Sequence, residues 1–171
     1  MKKILFLVFL LSSILFASVE KGSNFRNTHW GMSRDEVKKI EKTSSLNKFG
    51  GTFYYVGEIF NLKSIIIYVF NKNNKLKKGT YIIKQPHTLK DDYIIDYYYI
   101  LKKLKQKYGK PANENIFKNK KSLKAETQGM AISLGKLSYQ TFWNLKKTII
   151  LLKLNGNKGN INLSISYVAK K

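Results

Sequence analysis

The sequence predicts an α+β protein in which two helices pack on an antiparallel sheet, arranged as two similar helix-plus-β-meander halves. Three observations predict it. Two stretches carry helix-entry signals and helical spacing, one beginning at Ser33 and one after Pro86. The chain beyond each is rich in β-branched and aromatic residues, broken by Asn- and Gly-rich turns. An aromatic, Asn-Leu-Lys, an apolar strand, an Asn-rich turn and a closing strand run from Phe60 to Lys84, and the same series returns from Trp143 to Lys170. That recurrence divides the chain into halves of about 25–86 and 87–171.

The chain opens with Lys2 and Lys3 before "ILFLVFLLSSILFA", an apolar run of fourteen residues from Ile4 to Ala17. A membrane-spanning helix needs about 20 apolar residues, whereas this length suits the core of a secretory leader. Residues 1–18 therefore read as a signal peptide and 19–171 as a single α+β domain. The expected destination is the periplasm or the cell exterior, with no stable membrane span after cleavage. The absence of cysteine excludes disulfides, a thiolate nucleophile, cysteine-bound zinc and a lipid-anchored Cys.

Ser33 begins the first helix. In "SRDE" its side chain can cap the amide of Glu36 while Glu36 reaches back, and Met32 and Val37 are placed as the flanking hydrophobic staple. Gly50-Gly51 then ends the helical stretch. Strands are expected at Thr52–Phe60, with a bulge at Gly57, at Ser64–Phe70 and at Leu76–Lys84. Thr88 and Asp91 form a second capping pair, and Ile94, Ile95, Tyr98, Leu101, Leu104 and Tyr108 line one face of a second helix. Gly109 and Pro111 stop it. Asn113–Lys121 reads as a polar loop, and strands are expected from Ser122 onward. Asn155-Gly156 with Gly159 marks the last hairpin.

"WGMSRDEVKKIE" (Trp30–Glu41), followed by "LKQKYGKP" (Leu104–Pro111), resembles the G-M-[ST]-x-x-x-V … L-G-x-P pattern of SmpA/BamE-like envelope proteins. It is also similar to the tandem β-lactamase-inhibitor proteins, which have two helix-plus-sheet repeats. The matching positions are Gly31, Met32, Ser33 and Val37, then Tyr108, Gly109 and Pro111, and Glu36 completes the capping box. The resemblance implies a helix-plus-sheet fold and non-enzymatic binding. This chain lacks the lipoprotein cysteine of the envelope family, which sets it apart from an outer-membrane assembly role.

The formal charge is lopsided: 32 basic against 10 acidic residues, or 30 − 10 = +20 once Lys2 and Lys3 leave with the leader. Such a surface attracts acidic partners generically. Only Arg26 and Arg34 are arginines, so the planar fork favoured at dedicated phosphate sites is nearly absent. The lysine surplus, with abundant Asn, Ile and Tyr, reads as compositional bias, and no specific nucleic-acid partner is expected.

Chemistry-bearing residues are sparse. His29 and His87 are the two histidines. His29 beside Trp30 reads as packing, His87 lies four residues before Asp91, and no metal-ligand spacing appears. Asp91, Asp92 and Asp96 read as partners of the helix dipole. No catalytic residue, cofactor or metal ligand is assigned. Trp30, Tyr97 and Tyr99 are candidate interface residues, Tyr97 and Tyr99 because the stripe containing Tyr98 leaves them pointing elsewhere.

The favoured reading is a non-enzymatic binding or assembly module of the cell envelope, its partner an envelope protein or polymer. A small exported hydrolase with an unrecognised site and a lysine-rich polyanion binder are the rival classes. The leader yields the first test. Intact-mass measurement of the protein from its own cell should show a start near Ser18 or Val19, and a retained Met1–Ala17 segment would instead mark an anchor.

Overall fold

The computed structural model describes residues 22–41, 47–49, 52–118 and 127–170. The expected leader and Gly50-Gly51 lie outside them. The described chain is mixed α+β and mostly sheet, in the order α1 (Arg34–Glu41), β1 (Asn47–Phe49), β2 (Thr52–Ile59), β3 (Leu62–Phe70), β4 (Leu76–Ile83), α2 (Asp92–Tyr108), β5 (Asn113–Lys118), α3 (Gln128–Ser133), β6 (Leu137–Asn144), β7 (Thr148–Asn157) and β8 (Asn160–Ala169). The strands form one eight-stranded sheet of order β1-β2-β3-β4-β8-β7-β6-β5. Every pairing is antiparallel. No described helix is long and apolar enough to cross a membrane.

Alternation along the strands sends one set of side chains inward. Tyr55, Ile66, Tyr81, Ile165, Leu152 and Thr141 are successive cross-strand partners in one row. All six are buried. Each large apolar side chain taken fully out of water contributes about 1.5–3 kcal/mol, so these rows hold the sheet to its helices. The described helices share this inner face. Glu41 at the end of α1 accepts from Tyr55 and Tyr68. Tyr97 of α2 hydrogen-bonds Thr141 at 2.7 Å, and Tyr139 donates to Gln128 of α3 at 2.7 Å.

Two glycines allow close approaches. Gly79 of β4 lies under the ring of Phe25, where a Cβ would come within 2.1 Å of the ring. The Phe25 ring in turn meets Tyr68 at 5.1 Å, Tyr81 at 5.1 Å and Tyr167 at 5.3 Å, at the line where β4 joins β8. Gly156 of β7 lets α3 approach, because a Cβ there would stand 2.3 Å from the carbonyl oxygen of Ile132. It is therefore a packing residue and not the hairpin turn. The turn is Lys158-Gly159, both at positive φ (50° and 84°), as a two-residue antiparallel hairpin requires.

Other expectations change as well. Three helices are described where the sequence predicts two. Gln128–Ser133 is helical within a stretch expected to be strand; the Thr127 side chain caps it, and Asp91 accepts from the Gly129 amide at 2.8 Å. Asn113–Lys118, a polar loop by its sequence, forms β5, because pairing with β6 completes its backbone hydrogen bonds whatever the polarity of its side chains. The register is regular through Gly57, and the irregularity falls between Val69 and Phe70. Helix α2 begins at Asp92 with no side-chain cap, since Asp91 bonds α3 instead.

The first helix starts as expected. Glu36 Oε2 accepts from the Ser33 amide and hydroxyl, both at 2.7 Å, and Ser33 Oγ accepts from the Glu36 amide at 3.3 Å. The Ser33 backbone bond, then its hydroxyl, hold the Glu36 carboxyl below its ordinary value. A depressed carboxyl stabilises the fold above the unfolded value of about 4.3 and loses that contribution as pH falls through the folded value. Ser33→Ala should cost about 1 kcal/mol in thermal melts at neutral pH. Glu36→Ala combined with it should add less than the sum of the singles, because both belong to one box.

Candidate functional site

The residues with the most perturbed chemistry gather on the inner face beside the β4–β8 junction. Phe25 and Thr28 close a tight turn through paired backbone bonds, with Thr28 Oγ1 donating to the Phe25 carbonyl at 2.7 Å. Arg26 sits in that turn at φ 54°, a conformation uncommon for a side chain with a Cβ. The turn swings its guanidinium over the sheet. There Arg26 Nε donates to both Glu41 oxygens, at 3.0 and 3.2 Å, and the group lies 5.8 Å from the centre of the Tyr55 ring. The hydroxyls of Tyr55 and Tyr68 also donate to Glu41. The Glu41 side chain is only 4% exposed, so a carboxylate is held out of water by one cation and two phenols.

The electrostatics follow from burial. Desolvation opposes the charge on Arg26, but the fields of Tyr81 and Glu41 outweigh it and raise the pKa. Desolvation and then Glu41 push the Tyr68 phenol far up, and the same pair of causes raises Tyr55. Desolvation raises Tyr81 to about 12 against the pull of Arg26. Tyr167 is also held well above the ordinary value, first by burial and then by Tyr108.

Beside this network opens a cleft of about 490 Å³. Arg26 and Asn27 form one wall, Glu58 to Phe60 the second, and Lys107 and Tyr108 of α2 the third, with Tyr81 and Tyr167 beneath. The second wall runs from the end of β2 into a two-residue turn at positive φ, Phe60 (53°) and Asn61 (63°), that joins β2 to β3. Tyr99 of α2 fixes it by donating to the Phe60 carbonyl at 3.3 Å.

The sheet's other face carries no described helix. Tyr54, Ile67, Thr80, Ser166, Leu151 and Phe142 form a continuous cross-strand row on it. Val56, Ile65, Ile82, Ser164, Lys153 and Gln140 form a second row, apolar in its first half and polar in its second, and Val69, Lys78, Val168 and Ile149 a third. Val56 is 81% exposed and Ile149 39% exposed, while most of the rest shield one another to half-burial. An antiparallel sheet with one solvated face normally turns polar residues outward. Here the polar centre, where Thr80 meets Ser166 at 3.2 Å, is flanked on both sides by apolar residues.

The motif residues anticipated from sequence serve the fold. Gly31, at φ 89°, donates to the Leu76 carbonyl at 3.0 Å, and the Met32 carbonyl accepts from Leu76 at 2.8 Å, pinning the helix entrance to β4. Val37 is buried. Gly109 caps α2 at φ 77°, and its carbonyl accepts from Trp143 Nε1 at 2.9 Å. Pro111 is buried beside it.

The interface candidates divide. Tyr97 is 3% exposed and belongs to the core, which removes it as a contact residue, while Tyr98, assigned to the core stripe, is 50% exposed. The helix is rotated because α2 must meet both the sheet and α3, burying Asp96, Tyr97, Ile100, Leu101 and Leu104. Tyr99 is 38% exposed, and Trp30 is half-buried with Nε1 bonded to Thr148 at 2.9 Å.

His87 does not meet Asp91. Its Nε2 lies 2.6 Å from Asp96 and its Nδ1 3.8 Å from Asp92, so these acids anchor the β4–α2 connection rather than only favouring the dipole. No group of three or more described His, Asp or Glu side chains is placed to hold a metal ion.

Sequence reasoning passed over Arg26 and Glu41. One signal was available: Glu41 lies four residues after buried Val37, hence on the same helix face. No protein-family model, curated protein or solved structure matches the chain.

The network predicts two responses. Glu41→Gln leaves Arg26 half-buried without its counter-charge, and urea melts should show a loss of about 3 kcal/mol. The raised phenols stabilise the fold below their unfolded value of about 10, and this contribution is lost as pH rises through the folded values. Ultraviolet titration should therefore show a late group of tyrosines ionising together with unfolding, and smooth titration of every tyrosine near pH 10 would contradict the network.

Proposed function

We propose that this chain is an exported, non-enzymatic binding module of the cell envelope, and that its docking surface is the helix-free face of the sheet. The observation that carries the reading is the pair of apolar areas on that face, Val56, Ile65, Ile67 and Ile82 on one side of Thr80 and Ser166, and Leu151, Phe142 and Ile149 on the other. Extended exposed apolar surface marks sites of protein association. The charged residues amid its apolar rows, Lys78 and Lys153, are cationic, and at the end of β2 and β3 Glu58 stands opposite Lys63. The partner that fits is a folded envelope protein whose own apolar patch is bordered by carboxylates.

The strand order supports reading the chain as a duplicated unit. Each half contributes four strands, and the two sets meet at their last strands, β4 and β8. On this reading the likeness of "WGMSRDEV" and "YGKP" to SmpA/BamE-like and tandem β-lactamase-inhibitor proteins reflects a shared helix-plus-meander architecture. The leader supplies export.

The generic charge and the specific contact separate by salt. Attraction from exposed lysines is screened beyond a Debye length of about 8 Å at physiological ionic strength. Binding to heparin should therefore vanish near that salt, whereas capture of an envelope protein by the wild-type chain should persist. Ile149→Glu, at a partly exposed position, should abolish the salt-resistant capture and leave the melting temperature nearly unchanged. Selective polyanion binding that survives physiological salt would overturn the reading and make the lysines the function.

A further inference from the structure

We propose that the cleft between the Arg26 turn and the end of α2 is a saccharide-binding site for an uncharged mono- or disaccharide unit of an envelope glycan. It is independent of the open sheet face.

Three features of the cleft carry this. Its size, about 490 Å³, lies within the range of small-ligand sites. Its charges offset one another. Arg26 is neutralised from behind by Glu41, and the lining holds one further cation, Lys107, and one acid, Glu58. A site built for an anion would leave cationic charge uncompensated.

The third feature is hydrogen-bonding capacity of both signs around aromatic rings. Arg26 commits Nε to Glu41 and also hydrogen-bonds Tyr81 on the cleft floor, so its guanidinium is held in the cleft wall. Asn27 offers an amide donor and acceptor, Glu58 two acceptor oxygens, and Tyr108 a hydroxyl that can do either. Vicinal sugar hydroxyls each donate and accept, so planar guanidinium, amide and carboxylate groups together satisfy them. Phe60 and Tyr108 give the walls half-exposed apolar surface for the C–H face of a pyranose ring. The backbone holds the frame open: Arg26 and Phe60, on opposite walls, both stand at positive φ, and the Tyr99 bond fixes the Phe60 turn.

The test uses the leaderless chain with three probes: maltose, the N-acetylglucosamine disaccharide and glucuronate, followed by saturation-transfer NMR and calorimetry. Saturable binding of at least one neutral disaccharide is expected, with one site per chain. Asn27→Ala and Glu58→Gln, both at exposed positions, should each weaken it about threefold to tenfold, equivalent to about 0.7–1.4 kcal/mol. Melting temperature should be unchanged in both. Lys153→Gln on the opposite face should leave binding as it was. Failure of both neutral disaccharides to bind the folded wild-type chain overturns the proposal. So does binding confined to glucuronate that Glu58→Gln strengthens, since the cleft would then be selecting an anion. Neutral-sugar binding unaffected by both cleft variants overturns the location.

Discussion

Burying one carboxylate organises the helix-covered side of this protein. Glu41 comes at the last position of α1, where a chain leaving a helix would ordinarily keep an acid in water. Here it lies inside, and a desolvated charge is tolerated only when paired and hydrogen-bonded. That requirement fixes several otherwise separate parts. It draws Arg26 over the sheet in a backbone conformation of positive φ, and it orients Tyr55 on β2 and Tyr68 on β3. The Arg26 turn carries Phe25 with it, and Phe25 fills the space that Gly79 leaves open where β4 meets β8. The N-terminal turn, first helix and sheet centre are thereby coupled.

The same constraint shapes the cleft. Because Glu41 satisfies Arg26 from one side, the rest of the guanidinium stands beside the cavity without leaving it strongly cationic. The tyrosines beneath are held neutral by burial, so the floor behaves as a polar but uncharged surface. Lys107 stands over the ring of its neighbour Tyr108 at 5.2 Å, within the wall that the end of α2 forms.

The two faces of the sheet divide the chemistry. Inward rows are closed by helices and contain the titratable network, whereas the outward rows mix apolar residues with polar ones at Thr80, Ser166, Ser164, Lys153 and Gln140. The lysine field surrounds both and is screened over short distances, so it speeds encounter without choosing a partner. His87, Asp92 and Asp96 illustrate how scarce acids are used in this basic chain: they hold connections in place.

Local statements were legible in the sequence because one element suffices to produce them. The Ser33–Glu36 box, the existence of α2, its stop at Gly109 and the alternation of β8 each depend on neighbours within a few residues. So did the sum of charge. The tertiary structure decided what depends on distant partners. The rotation of α2 that buries Tyr97 and exposes Tyr98 answers to α3 and β6, whose positions no helical spacing encodes. Strand β5 exists because β6 completes its hydrogen bonds, although its own residues are polar. Arg26 and Glu41 are fifteen positions apart, and Glu41 and Tyr68 twenty-seven, in elements that meet only after the sheet is assembled. Periodicity tells which face of an element turns inward; which groups then share the interior is settled by register and packing, where an unpaired charge is too costly to leave alone.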